Sequence, residues 1–120
     1  MIELKNVTKR YNDLVVLDNI TLSLKSGLIG LCGKSGTGKS TLLNIISLLD
    51  EEYEGEVYYN SINLKNIKNK EKFRYQNFSS VFQTPILFNL LTVFDNICFS
   101  LSRNYENEKK VKKDFSDFIQ

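Results

Sequence analysis

Gly33-Lys34-Ser35-Gly36-Thr37-Gly38-Lys39-Ser40 satisfies the pattern G-x-x-x-x-G-K-S at every fixed position. Just before it, Leu28-Ile29-Gly30-Leu31-Cys32 is continuously apolar, as in a strand covered on both faces of a parallel sheet. Just after it, Leu42, Leu43, Ile45, Ile46 and Leu49 recur at helical spacing. Strand, glycine-rich loop and helix, in that order, are what this pattern needs to mean phosphate binding rather than a simple turn. Glycines let the backbone fold back and aim N–H groups at phosphate oxygens, and the following helix adds its positive end. Lys39 can reach the β- and γ-phosphates, and Ser40 can hold Mg²⁺. At average residue usage, a chance match in a chain of this length arises about a few times in a thousand.

Upstream of the loop, Ile2, Leu4 and Val7 open with strand character, and Tyr11-Asn12-Asp13 supplies a turn before a second run from Leu14 to Leu17. A third strand is expected from Ile20 to Leu24, with Ile20, Leu22 and Leu24 on the dry face. Downstream, Glu54-Gly55-Glu56 reads as a turn into a short strand, Val57 to Tyr59. A lysine-rich helix is expected from about Asn69 to Asn77, and a second covered strand from Ser80 to Gln83. Thr92 and Asp95 mark a helix start, the hydroxyl capping free N–H groups and the carboxylate matching the dipole. Val111, Phe115, Phe118 and Ile119 make an amphipathic stripe, and a chain ending within such a helix is expected to lack the surface it packs against. The expected fold class is α/β, with a parallel-sheet core and antiparallel N-terminal strands.

Composition narrows the chemistry. The 120 residues are 42% apolar and 25% charged, enough for one core. Sixteen basic against fourteen acidic side chains give no broad field for gripping nucleic acid or an anionic membrane. Without histidine, Ser-His-Asp triads and imidazole metal sites are excluded. The start, Met1-Ile2-Glu3-Leu4-Lys5, alternates apolar and charged residues and is not expected to act as a signal peptide. The uncharged stretch from Gln76 to Phe94 is interrupted by Gln76, Asn77, Gln83, Pro85 and Asn89, so it is not expected to span a bilayer. Cys32 and Cys98 fit neither a disulfide framework nor a zinc cluster; they read as small core residues in a reducing, cytosolic setting.

Two look-alikes are set aside. Leu48-Leu49-Asp50-Glu51 resembles the apolar strand ending in Asp-Glu that holds Mg²⁺ in many P-loop ATPases. Eleven residues of helix would place it roughly 16 Å from the phosphates, so these carboxylates read as a solvated helix end. Asn69-Lys70-Glu71-Lys72 resembles the guanine-reading N-K-x-D, but Lys72 replaces the aspartate, which argues against a GTPase.

In this order the motifs resemble the nucleotide-binding domain of an ABC transporter ATPase, from Ile2 through Ile97. Strands with an aromatic Tyr11 precede the phosphate loop, and Gly33 to Ile46 reads G-K-S-G-T-G-K-S-T-L-L-N-I-I. Gly55 with the strand after it matches a third segment. Val81-Phe82-Gln83 followed by Leu91-Thr92-Val93-Phe94-Asp95-Asn96-Ile97 matches the glutamine-loop region. The resemblance implies a RecA-like P-loop NTPase fold, with residues 1–91 a partial ATP-binding core and 92–120 the start of a helical subdomain.

It further implies that Tyr11 stacks on adenine, although a tyrosine beside a turn taken alone is more simply a surface or core-edge residue. Gly33, Lys34, Ser35, Gly36, Thr37, Gly38, Lys39, Ser40 and Thr41 would hold ATP. Ser40 and Gln83 would meet Mg²⁺, with Gln83 beside the attacking water. The implied partners are a transmembrane permease and a second ATP-binding subunit or the missing C-terminal half; no nucleic acid is expected. The implied place is cytoplasmic, on the inner face of the membrane through the permease. The Leu-Leu-Asp segment after the loop helix suggests export of a peptide, lipoprotein or drug.

The pattern also departs from the family. No L-S-G-G-Q signature, no second Asp-Glu strand and no switch histidine occur, and Leu101-Ser102-Arg103 is no signature. The chain is therefore expected to be the N-terminal half of such a domain, as a truncated product, a split gene or a fragment. The rival readings are a noncatalytic nucleotide-binding remnant and a small-molecule kinase. The kinase lacks a lid arginine cluster among only three arginines.

Overall fold

The computed structural model describes residues 1–84, 86–101, 113 and 116. These fall in two units, Met1–Ser79 and Ser80–Gln120. In the first, β1 (Ile2–Tyr11) turns through Asn12, at φ 51°, into antiparallel β2 (Leu14–Leu24). On its other edge β1 pairs antiparallel with β3 (Glu54–Tyr59), which pairs with the short β4 (Ile62–Asn63), giving the order β2-β1-β3-β4. Asn60 and Ser61 join β3 to β4 at φ 46° and 67°, the left-handed pair that a tight hairpin demands.

The two runs expected between Leu14 and Leu24 form one strand, because bulges absorb the polar interruption. Asn6 and Asn19 take φ 53° and 50°, and the Asn6 amide donates to Asn19 Oδ1 at 2.8 Å. The Thr21 and Thr8 hydroxyls accept the backbone N–H groups of Asn6 and Asn19, each at 2.9 Å. Side chains thus satisfy donors that the bulges take out of the ladder. Gly55, expected in a turn, lies inside β3 at φ 84°, where a Cβ would stand 2.3 Å from the Asn6 carbonyl oxygen. Only glycine lets β3 pass the bulge of β1 so closely.

The core joins Leu4 and Val7 of β1, Leu17 of β2 and Val57 of β3 to Leu64, which opens a single 3₁₀ turn, Leu64–Asn66. Helix α1 (Lys39–Ile46) contributes Leu42, Ile45 and Ile46. It ends four residues earlier than an unbroken helix to Asp50 would. Leu48 then takes φ 58° and is buried, while Leu43 and Leu49 are exposed. The expected period holds for Leu42, Ile45 and Ile46, but Leu43 stays exposed within the helix, and Leu49 falls beyond the point where the helix stops. Helix α2 (Lys70–Asn77) starts as expected, the Asn69 side chain accepting the Lys72 N–H at 2.9 Å, which explains that asparagine without any guanine. Tyr59 packs against Phe73 and Phe78, with ring centroids 5.8 and 5.1 Å away.

The expected covered strands take a different form. Residues 28–32 carry no ladder pairing, and Leu28, Ile29, Leu31 and Cys32 are exposed; the same holds for 80–83 in the second unit. A continuous apolar run signals two covered faces without naming what covers them, and no described strand lies alongside either segment. The sheet seen among the described residues is antiparallel, and Cys32 is no core residue.

In the second unit α3 (Val93–Leu101) begins at the expected cap: Thr92 Oγ1 accepts the Asp95 N–H at 3.1 Å and donates to Asp95 Oδ2 at 2.7 Å. The Asn96 amide donates to the carbonyls of Phe88, Leu91 and Thr92, and its oxygen accepts the Phe88 N–H at 2.8 Å, binding the preceding loop to the helix. The expected stripe through Val111, Phe115, Phe118 and Ile119 and the side chain of Cys98 lie outside the described residues. Among the described residues no helix is long and apolar enough to cross a membrane.

Candidate functional site

The loop from Gly33 to Gly38 is seated by its last glycine. A Cβ on Gly38, at φ 83°, would stand 2.9 Å from both the Val16 carbonyl oxygen and Leu17 Cδ2, so the loop meets β2 backbone to backbone. From there α1 starts at once, with the Leu42 N–H donating to the Gly38 carbonyl at 2.8 Å. Gly38 offers no side-chain cap, and the first turn carries no acid. The N–H groups at this end can therefore receive an anion, with the helix dipole in favour.

Lys39 turns back across the loop. Its ammonium donates to the carbonyls of Gly33, at 2.9 Å, and of Lys34, and reaches Thr37 Oγ1 at 3.3 Å. Thr37 Oγ1 in turn donates to the Lys34 carbonyl at 2.9 Å. A positive charge thus sits within the loop, held by groups that anionic oxygens can replace. Lys34, Ser35 and Gly36 are exposed, Thr41 is half-buried, and Ser40 is exposed at the start of α1. One hydroxyl is a fitting protein contribution to Mg²⁺, which keeps several waters and takes other ligands from phosphates.

Tyr11 ends β1 opposite Leu14, two residues from Val16, which places it about 7 Å along the hairpin from the glycine seat. Its ring is not isolated. Lys9 Nζ lies 4.8 Å from the ring centroid, and the phenol donates to Asp50 Oδ2 at 3.1 Å. Asp50 Oδ1 takes the Lys9 ammonium at 2.8 Å and the Glu52 N–H at 3.0 Å. Burial is the largest influence on this carboxyl and pushes it up. The hydrogen bonds from Lys9, Glu52 and Tyr11, with the charge of Lys9, outweigh it and hold Asp50 below its ordinary value. Asp50 is thus not a solvated helix end. Glu51, five residues beyond the end of α1, is exposed and pairs with Lys70 at 2.6 Å.

The pattern of residues did not single out Lys9. Its signal was period two, since a charged side chain two positions before Tyr11 shares its face of the strand. Gln83 lies in the second unit, exposed at a bend.

A model described as ABC transporter matches residues 17–119. The methionine import ATP-binding protein MetN of Helicobacter pylori (strain HPAG1) is 37% identical over 124 residues, covering all of this chain and 38% of that protein. The uncharacterized ABC transporter ATP-binding protein MJ0796 of Methanocaldococcus jannaschii is 42% identical over 104 residues, 81% of this chain and 44% of that one. The chain therefore spans less than half the length of these curated relatives. The structure of the MJ0796 cassette described as dimeric, post-hydrolysis and bound to ADP and Pi superposes with a TM-score of 0.80 at 35% identity. It covers 94% of this chain and 55% of that one. With a likeness of this extent the α/β, P-loop NTPase fold holds, the hairpin and loop described above being part of it. The chain belongs to the ABC transporter family, as part of its ATP-binding domain.

Proposed function

We propose that this chain binds Mg-ATP within the ATP-binding subunit of an ABC transporter and couples that binding to solute movement through a transmembrane permease. The observation that carries the reading is the phosphate loop seated on β2, with Lys39 turned into it and the start of α1 uncapped. In this reading the N–H groups from Gly33 to Thr41 cradle the phosphates, Lys39 meets the β- and γ-phosphates, and Ser40 takes the metal. Tyr11 stacks on the base, which selects nucleotides weakly because a stack reads no base edge. Gln83 meets Mg²⁺ or the attacking water.

Residues 1–91 form the partial ATP-binding core and 92–120 open the helical subdomain. The dimeric MJ0796 cassette supports a second ATP-binding subunit as partner, and the permease holds the assembly at the cytoplasmic face of the membrane. Import is the direction proposed, because MetN is named for methionine import. The export expected from Leu48-Leu49-Asp50 loses its footing, since Leu48 fills the core and Asp50 holds Lys9. Calorimetry of ATP-Mg with the 120-residue chain and its Lys39→Ala variant tests the proposal. Equal affinity in a folded variant would remove the phosphate-loop assignment.

A further inference from the structure

Lys9 is 3% exposed and Tyr11 46% exposed, yet the two share one carboxylate. Asp50 takes the ammonium on one oxygen and the phenol on the other, while the ammonium also lies against the ring at 4.8 Å. A buried ammonium cannot leave its carboxylate without losing its counter-charge, so it fixes the ring from behind. The carboxylate is itself fixed. Its backbone N–H donates to the Asn44 carbonyl at 3.2 Å, and Asn44 lies in α1, the helix that begins at Lys39. The ring and the phosphate loop are thereby tied to the same helix.

We propose that Lys9 and Asp50 are positioning residues for the nucleotide base. They hold the Tyr11 ring in one orientation, with one face closed by the ammonium and the other presented to a planar base. The inference rests on the reading of Tyr11 as the stacking surface. An exposed tyrosine left free would lose rotamer freedom on stacking, whereas a ring already held loses little.

The test compares affinities of the 120-residue chain for ATP-Mg and for inorganic tripolyphosphate with Mg²⁺, a ligand that has the phosphates and no base. Tyr11→Phe keeps the ring and removes its tether; Asp50→Asn removes the charge that holds Lys9. Each is expected to weaken ATP about two- to tenfold, the scale of immobilising one side chain, while leaving tripolyphosphate unchanged. A purely structural role would weaken both ligands together. That result, or an unchanged ratio of affinities in Tyr11→Phe, overturns the inference. Tyr11→Phe alters one exposed hydroxyl, so it decides the matter even if Asp50→Asn does not fold. Tyr11→Ala separates the layers: if its ratio of affinities equals that of the unaltered chain, the stacking role falls and the positioning role with it. A chain that binds neither ligand overturns the phosphate loop itself.

Discussion

The Lys39 ammonium donates to the Gly33 carbonyl at 2.9 Å, bringing the basic end of the phosphate loop back onto its first glycine. Lys39→Ala removes a charge-assisted contact to phosphate worth about 1.5–3 kcal/mol, so ATP-Mg affinity should fall at least about tenfold. The bonds it loses within the loop are exposed, so the thermal midpoint should move little. Calorimetry and thermal unfolding of the same samples check both halves.

Gly36 and Gly38 both have left-handed backbone, but a Cβ on Gly36 meets open space while one on Gly38 meets the backbone of β2. Gly36→Ala should cost only the conformational strain, about 1 kcal/mol. Gly38→Ala adds a clash that no flexible side chain can relieve and should cost about 2 kcal/mol or more, with a larger loss of ATP binding. Equal unfolding midpoints for the two variants would contradict the seating of the loop on Val16 and Leu17.

Although burial pushes it up, the Asp50 carboxyl is held below its ordinary value by its partners, so the native state binds this proton less readily than the unfolded chain does. The stability it contributes is present above the ordinary carboxylate value, about 4, and is lost as pH falls through the lower native value. Urea unfolding between pH 7 and pH 3 should show a steep acid limb that is flatter in Asp50→Asn. Parallel curves would show that the Lys9 pairing has no such effect.

Tyr53 gives the opposite limb. Burial, then the charge of Glu51, pushes its hydroxyl up to about 12 from an ordinary 10.0. Above pH 10 the unfolded chain gives up this proton while the native state keeps it, so stability falls between there and about pH 12. Tyr53→Phe should lack that part of the alkaline decline, read as the difference between the two denaturation profiles.

Residues 1–120 should bind ATP without turning it over at an enzymatic rate. Phosphoryl transfer needs a positioned water as well as charge across the γ-phosphate, and the loop supplies only the charge. Phosphate release of about 1 per second or faster, abolished by Lys39→Ala, would assign the missing base to this chain and return attention to Glu51 or Asp95.

What the sequence by itself determined lies within a few residues of chain. The glycine-rich loop ahead of α1, the helix start near Asn69, the Thr92 cap and the dry face of Ile20, Leu22 and Leu24 depend on local spacing, and each is where the pattern put it. Their neighbours in space are their neighbours in sequence. The rest depended on who stands opposite. Leu48 rather than Leu49 enters the core because α1 stops at Ile46 and the chain turns left-handed. Gly55 belongs to a strand because Asn6 bulges toward it. Asp50 is drawn from solvent by Lys9, forty-one positions earlier. Only the tertiary structure could make that pair, because a buried charge takes its partner from whatever the fold brings within reach, and no local spacing encodes it.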